Sequence, residues 1–156
     1  MAKETIFRFK SEDEILAAAL TIAENRFVYG EQFVDAKVTC NFMKIWAATK
    51  EHEVFGVFWL NTQHMAIGGF QELFRGTIDS AAVYPREIAK AALACNAAAC
   101  ILVHNHPSGD VTPSSMDRTL TKKISETLGV FDIRVLDHLI ASPKAVLSFA
   151  EKGLMP

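Results

Sequence analysis

Residues 100–128 leave this chain few ways to fold, and they carry its chemistry. His104, Asn105 and His106 end the apolar run Cys100-Ile101-Leu102-Val103. On an extended strand, residues i and i+2 project from the same face, so the His104 and His106 rings can reach one ion. The next segment, Pro107-Ser108-Gly109-Asp110-Val111-Thr112-Pro113, holds two prolines and a glycine. It cannot be helix and is expected to turn the chain back. Ser114 is placed to open a helix, with Asp117 in its first turn. Two histidines and an aspartate are three ligands. Three leave a fourth position for water, the pattern of a catalytic zinc rather than a structural one. Iron, cobalt and manganese also suit such a set. Taken alone, an HxH pair says little, and Ser114 to Asp117 is an ordinary helix start with Ser114 as N-cap. The combination of strand spacing, loop and helix-borne acid points to the ion.

The remaining elements follow from pattern. Ser11-Glu12-Asp13-Glu14 resembles a capping box that opens a helix through about Asn25, and Tyr29-Gly30-Glu31-Gln32 breaks it. A second helix is predicted over residues 35–50, with Val38, Phe42, Ile45 and Trp46 near helical spacing. Val54–Leu60 reads as a buried strand, Asn61-Thr62-Gln63 as a turn, and His64–Ile67 as a return strand, with Gly68-Gly69 marking a bulge or bend. Ile78–Tyr84 is another strand candidate. Pro85 suits the first position of a helix running to about Cys95. Cys100–His104 is the strand carrying the histidines. Ser114 to about Leu128 is helix, stopped at Gly129. Phe131–Ile140 is strand, and Ser142-Pro143 is expected to cap a short final helix. The expected class is α/β (α+β): one domain with a mixed central sheet flanked by helices.

Composition narrows the function classes. The chain has 156 residues, enough for one domain with a substantial core. Its apolar runs fall far short of a membrane span, and Lys3, Glu4, Arg8, Lys10 and Glu12 break up any secretory h-region. Cys40, Cys95 and Cys100 are an odd number without CxxC spacing, as expected of reduced thiols in a cytoplasmic protein. Sixteen Lys and Arg are scattered against 18 acids, for a net charge of −2. Nucleic-acid footprints normally show clustered basic residues, so none is expected through this chain alone. Lys122-Lys123 reads as a solvated helix face.

Water activated at such an ion needs a carboxylate to take its proton and pass it to the leaving group. Glu51, Glu53 and Glu72 are the candidates. Asn105 is a candidate for orienting water or substrate, with an Asx-turn role in the His104–Pro107 bend as the competing reading. His138, beside Asp137, is a candidate hydrogen-bond partner for a ligand histidine. A histidine satisfied within the core is the competing reading there.

His104-x-His106, seven residues, then Ser114-x-x-Asp117 reproduces the signature of the JAMM (MPN-type) metal-dependent hydrolases. Four runs resemble the bacterial RadC-like branch in the right order. They are Val103-His104-Asn105-His106-Pro107-Ser108-Gly109-Asp110, Tyr84-Pro85-Arg86-Glu87-Ile88, Asn96-Ala97-Ala98-Ala99 and Asp137-His138-Leu139-Ile140. The likeness covers about residues 35–156, leaving 1–34 as an N-terminal helical extension. It implies a JAMM/MPN-like (cytidine deaminase-like) fold and a zinc-dependent hydrolase of peptide or isopeptide bonds. The ion would be held by His104, His106 and Asp117. In this family the catalytic glutamate lies just before a central apolar strand, which selects Glu53 in Glu53-Val54-Phe55-Gly56. The motif serine, Ser114, would donate to the oxyanion. The family also includes non-catalytic protein-binding MPN modules, and the RadC-like branch has a DNA-repair association. Full-length members of that branch carry a helix-hairpin-helix segment, for which residues 1–34 are too short and lack the Gly-rich hairpin. The substrate itself is not specified by these motifs.

Overall fold

The computed structural model describes residues 8–9, 11–28, 36–76 and 82–156. The predicted break at residues 29–32, the side chain of Val38 and most of the strand predicted over 78–84 lie outside what it describes. Four helices and five strands follow in order: α1 (Glu12–Val28), α2 (Ala36–Ala48), β1 (Val54–Leu60), β2 (Gln71–Arg75), α3 (Pro85–Ala94), β3 (Ala99–Asn105), α4 (Ser115–Gly129), β4 (Arg134–Ala141) and β5 (Val146–Ser148). The strands form one mixed sheet in the order β2-β1-β3-β4-β5. Only β3 and β4 run parallel. This is the expected α/β domain.

β1 is buried along its whole length because both faces of the sheet are covered. Phe55, Val57 and Trp59 join Cys100 and Leu102 under α3 (Ile88, Ala89, Ala92) and α4 (Ile124, Leu128). Val54 and Phe58 join Val103, Leu139 and Ala141 under α2 (Phe42, Met43, Trp46, Ala47), with Leu20 of α1 at the margin. Period-2 alternation therefore decides which helix layer each side chain meets. His104, in step with Leu102 and Cys100, faces α4.

The structure corrects several boundaries. After β1, Asn61 Oδ1 accepts from the N–H groups of Gln63 (2.9 Å) and Met65 (3.0 Å), and His64 is left-handed with φ 59°. The return strand predicted at His64–Ile67 shrinks to a single bridge between Leu60 and Ala66. Gly68, at φ 74°, then turns the chain away. The true return strand is β2, whose mostly polar run Gln71–Arg75 gives no core signal because it lies on the sheet edge. Its polar side chains are used: Trp59 Nε1 donates to Gln71 Oε1 (2.6 Å), and Trp46 Nε1 donates to Glu72 Oε1 (2.7 Å). Phe70 and the Gln71 carbonyl close over Gly56. A Cβ there would stand 2.7 Å from the carbonyl oxygen and collide with the Phe70 ring, so this strand position accepts only glycine.

Residues 82–84, the end of the predicted Ile78–Tyr84 strand, are not strand. Pro85 does open α3. At the far end, Gly129 stays inside α4, and the left-handed residue is Asp132 (φ 58°). The chain reverses there, so β4 begins at Arg134 rather than Phe131. The predicted final helix does not form. Ser142 Oγ accepts from Ala145 N (3.0 Å), and Ser142 N donates to Ala145 O (2.8 Å). A serine able to cap a helix here closes a tight turn, and the chain returns as β5.

Candidate metal centre

The centre is built at the carboxyl end of β3, where that strand runs out between β1 and β4. The ladder with β4 continues one residue past the strand, through His106 N to Ala141 O (3.0 Å). His106 is thereby kept extended, and its ring stays on the His104 side. The Pro107–Pro113 loop is folded by its own groups. Gly109 N donates to His106 O (3.0 Å) with Gly109 at φ 87°, and Thr112 N donates to Asp110 Oδ1 (2.8 Å). The Asp110 carbonyl turns inward and takes His106 Nδ1–H at 2.6 Å.

At the start of α4, Ser114 and Asp117 form a reciprocal capping box. Asp117 Oδ2 accepts from Ser114 N and Ser114 Oγ, each at 2.7 Å, and Asp117 N donates back to Ser114 Oγ at 3.1 Å. Asp117 Oδ1 points away from the cap and lies 3.3 Å from His104 Nε2. The cap holds Oδ2, and Oδ1 is left facing the histidines. His104 Nε2 and His106 Nε2 are 2.9 Å apart, and Asp117 Oδ2 is 3.7 Å from His106 Nε2. The ligand atoms of His104, His106 and Asp117 all lie within 4.8 Å of one another.

The donor set fits a cation. A main-chain carbonyl can only accept, so His106 carries a proton on Nδ1, and Nε2 is the ring atom turned inward to the site. Asp117 is ionised. Burial works against the charge, but the hydrogen bond and charge of His104 and the Ser114 hydroxyl and N–H outweigh it. Together they hold the carboxyl well below the usual range. Two ring nitrogens and a carboxylate thus converge on one point, an arrangement that suits a cation. Ligands about 2.0–2.1 Å from a tetrahedral ion stand roughly 3.3 Å apart, close to the 2.9 Å between the two Nε2 atoms and the 3.3 Å from His104 Nε2 to Asp117 Oδ1.

Two elements complete the surroundings. β1 pairs with β3 through Phe55 and His104, whose rings stack at 6.2 Å. Continuing that register by two residues sets Glu53 opposite His106, on the histidine face. Glu53 is half-buried. Burial pushes its carboxyl above the usual range, against the pull of the His104 and His106 charges and with that of Asp117. Glu51 is exposed, and Glu72 is held by Lys50 and Trp46. Behind His104, His104 Nδ1 meets His138 Nε2 at 2.9 Å, and His138 Nδ1 meets Thr121 Oγ1 at 2.6 Å. His138 is wholly buried within β4, inside the predicted strand. The neighbouring Asp137 turns the other way, accepting from Ser148 Oγ (2.6 Å) and Ala150 N (2.9 Å) to tie down the β5 segment. Thr121 went unnoticed in the sequence. Its only signal is a polar residue on the buried stripe Asp117, Thr121, Ile124, Leu128.

Asn105 is in neither of its expected roles. It is 1% exposed, and its amide spans the gap to β1. Oδ1 accepts from Val54 N (2.7 Å) and Nδ2 donates to His52 O (3.0 Å). Both peptide groups flanking Glu53 are therefore clamped by one side chain. Asn105→Ala leaves both groups without partners, at roughly 1–3 kcal/mol for each. Thermal unfolding should show that loss while bound metal stays at the wild-type level, because Asn105 offers the centre no ligand. An unshifted melting curve would remove the clamp.

The extended HxH strand, punctuated loop and acid-bearing helix together define a metallohydrolase-type or MPN-type module. A family model of the RadC-like JAB domain matches residues 33–154. Two UPF0758 proteins of Vibrio cholerae are 49% and 46% identical to the chain over 142 residues, each match covering 91% of this chain and 89% of the relative. A UPF0758 protein of Methylibium petroleiphilum is 46% identical over 144 residues, covering 90% of this chain and 64% of that protein. The chain belongs to the RadC-like JAB domain family.

Proposed function

We propose that this chain is a zinc-dependent hydrolase of amide bonds, with a peptide or isopeptide as substrate. One observation carries the reading: the ligand atoms of His104, His106 and an ionised Asp117 lie within 4.8 Å of one another, with Glu53, a half-buried carboxyl of raised pKa, on the same face. His104, His106 and Asp117 would hold the ion. When bound, the ion polarises a carbonyl and brings the pKa of water toward neutrality. Glu53 stands where it can take a proton from water at the centre and return it to the leaving amine. A carboxyl whose pKa already sits above its ordinary value gives that proton back more readily. Ser114 N–H keeps Asp117 Oδ2 in place when the serine hydroxyl turns to an oxyanion, so the cap survives the second role. Residues 35–156 would form the hydrolase domain, with 1–34 as its helical extension.

Partner and compartment follow the same reading. No described helix is long and apolar enough to cross a membrane. Cys40, Cys95 and Cys100 are free thiols, which suits the reducing cytoplasm. The balance of 16 basic against 18 acidic residues favours a protein or peptide partner over nucleic acid. The deciding experiment is a peptide and isopeptide cleavage screen with purified protein. We expect cleavage that needs about one divalent ion per chain, stops with a chelator and returns with zinc. A chain that binds the ion and cleaves nothing would be a binding module. Tight, strongly salt-dependent binding to oligonucleotides would move the DNA-associated reading to first place.

A further inference from the structure

We propose that Thr121 is a positioning residue for the metal centre: its hydroxyl sets the ring tautomer of His138, which in turn points Nε2 of His104 at the ion. The inference rests on the metal-centre reading above.

An accept-only group fixes the direction of the chain of hydrogen bonds. Thr121 Oγ1 lies 2.6 Å from the Asp117 main-chain carbonyl and 2.6 Å from His138 Nδ1. A hydroxyl has one proton. If it went to His138, two oxygen acceptors would face each other at 2.6 Å inside the protein. The proton therefore goes to Asp117 O, and Thr121 Oγ1 must accept from His138 Nδ1–H. His138 is fully buried. Among the described residues its two ring nitrogens meet only Thr121 and His104, and no carboxylate faces it, so a charged ring there would be costly and the ring is neutral. A neutral ring protonated on Nδ1 has a bare Nε2. That nitrogen can only accept, so His104 donates from Nδ1, and its Nε2 is the ring atom left to face the ion.

The relay closes on itself. It leaves His104 on β3, passes through His138 on β4 and Thr121 on α4, and ends on the backbone of Asp117, the other ligand. Thr121 is 1% exposed, and none of the relay atoms is left without a partner. A buried hydroxyl and imidazole at core positions would be costly unless paired, and here each one directs the next. With the opposite His138 tautomer, two N–H groups would oppose each other or His104 would carry its proton on Nε2. In the latter case an N–H would occupy the position of the ion.

Two measurements test this. Long-range 15N–1H correlation spectra of the metal-free wild-type protein should show His138 protonated on Nδ1. Protonation of His138 on Nε2 overturns the inference, whatever the metal content, and this test needs no variant to fold. Zinc affinity, read by competition with a chromophoric chelator, should fall roughly 10–100-fold in Thr121→Val. Thr121→Ser, which restores the hydroxyl, should recover it. Thr121→Val binding zinc as tightly as wild type, or Thr121→Ser binding as weakly as Thr121→Val, overturns the inference alone. A wild-type chain that takes up no ion overturns the metal centre itself and this inference with it.

Discussion

Purified wild-type protein is expected to carry about one zinc-like ion per chain, and His104→Ala/His106→Ala is expected to carry none. Both ring nitrogens vanish in that variant, leaving Asp117 to offer one carboxylate, half of it committed to Ser114. A single oxygen does not hold an ion that needs three protein ligands. Elemental analysis after dialysis reads the result directly. His104 is 2% exposed and supports His138, so its loss also leaves a buried ring nitrogen unpaired, at roughly 1–3 kcal/mol. His106→Ala separates the two effects. Its side chain is 20% exposed and its outer partner is a loop carbonyl, so the single variant should fold normally and still lose its metal. Full metal retention in the double variant would place the ion elsewhere.

Glu53→Gln should give the opposite pattern, metal retained and hydrolysis lost. The amide keeps the shape of the side chain but cannot accept a proton. Removing a general acid–base group typically costs 10²–10⁴-fold in rate, and the loss should appear in turnover on whichever peptide the screen identifies. Stability should move the other way. A carboxyl with a raised folded-state pKa favours folding at low pH, and that contribution is lost as pH rises through the raised value. Burial that disfavours the charged carboxylate is relieved by a neutral amide, so above the raised value Glu53→Gln should melt at the same temperature as wild type or higher. Loss of metal in this variant would make Glu53 a ligand. Unchanged turnover would pass the proton transfer to Glu51, since Glu72 is tied to Lys50 and Trp46.

The contrast between β1 and β2 shows where sequence reading succeeds. Val54–Leu60 was legible to the residue because both faces of β1 are buried, so every side chain reports the core. Gln71–Arg75 was invisible because an edge strand is free to be polar, and its pairing comes from backbone groups that any residue has. The end of the chain misled for a related reason. Ser142-Pro143 starts a helix or a turn equally well, and the choice fell to Val146 and Leu147, which could pair with β4.

The ligand trio was readable in the same local way. His104 and His106 share a face because strands have period 2, and Asp117 lies in the first turn after its N-cap because helices begin that way. What surrounds the trio was not readable. Asn105 reaches across 51 residues to Val54, and His138 reaches across 34 to His104. These contacts exist only because β1 and β4 flank β3, an order set by packing the whole sheet between its helices. By itself, the sequence determined the atoms offered to the ion, through backbone periodicities that act over a few residues. The tertiary structure alone decided what stands behind His104 and which peptide groups hold Glu53. Those depend on hydrogen-bond partners brought together only when distant strands pair.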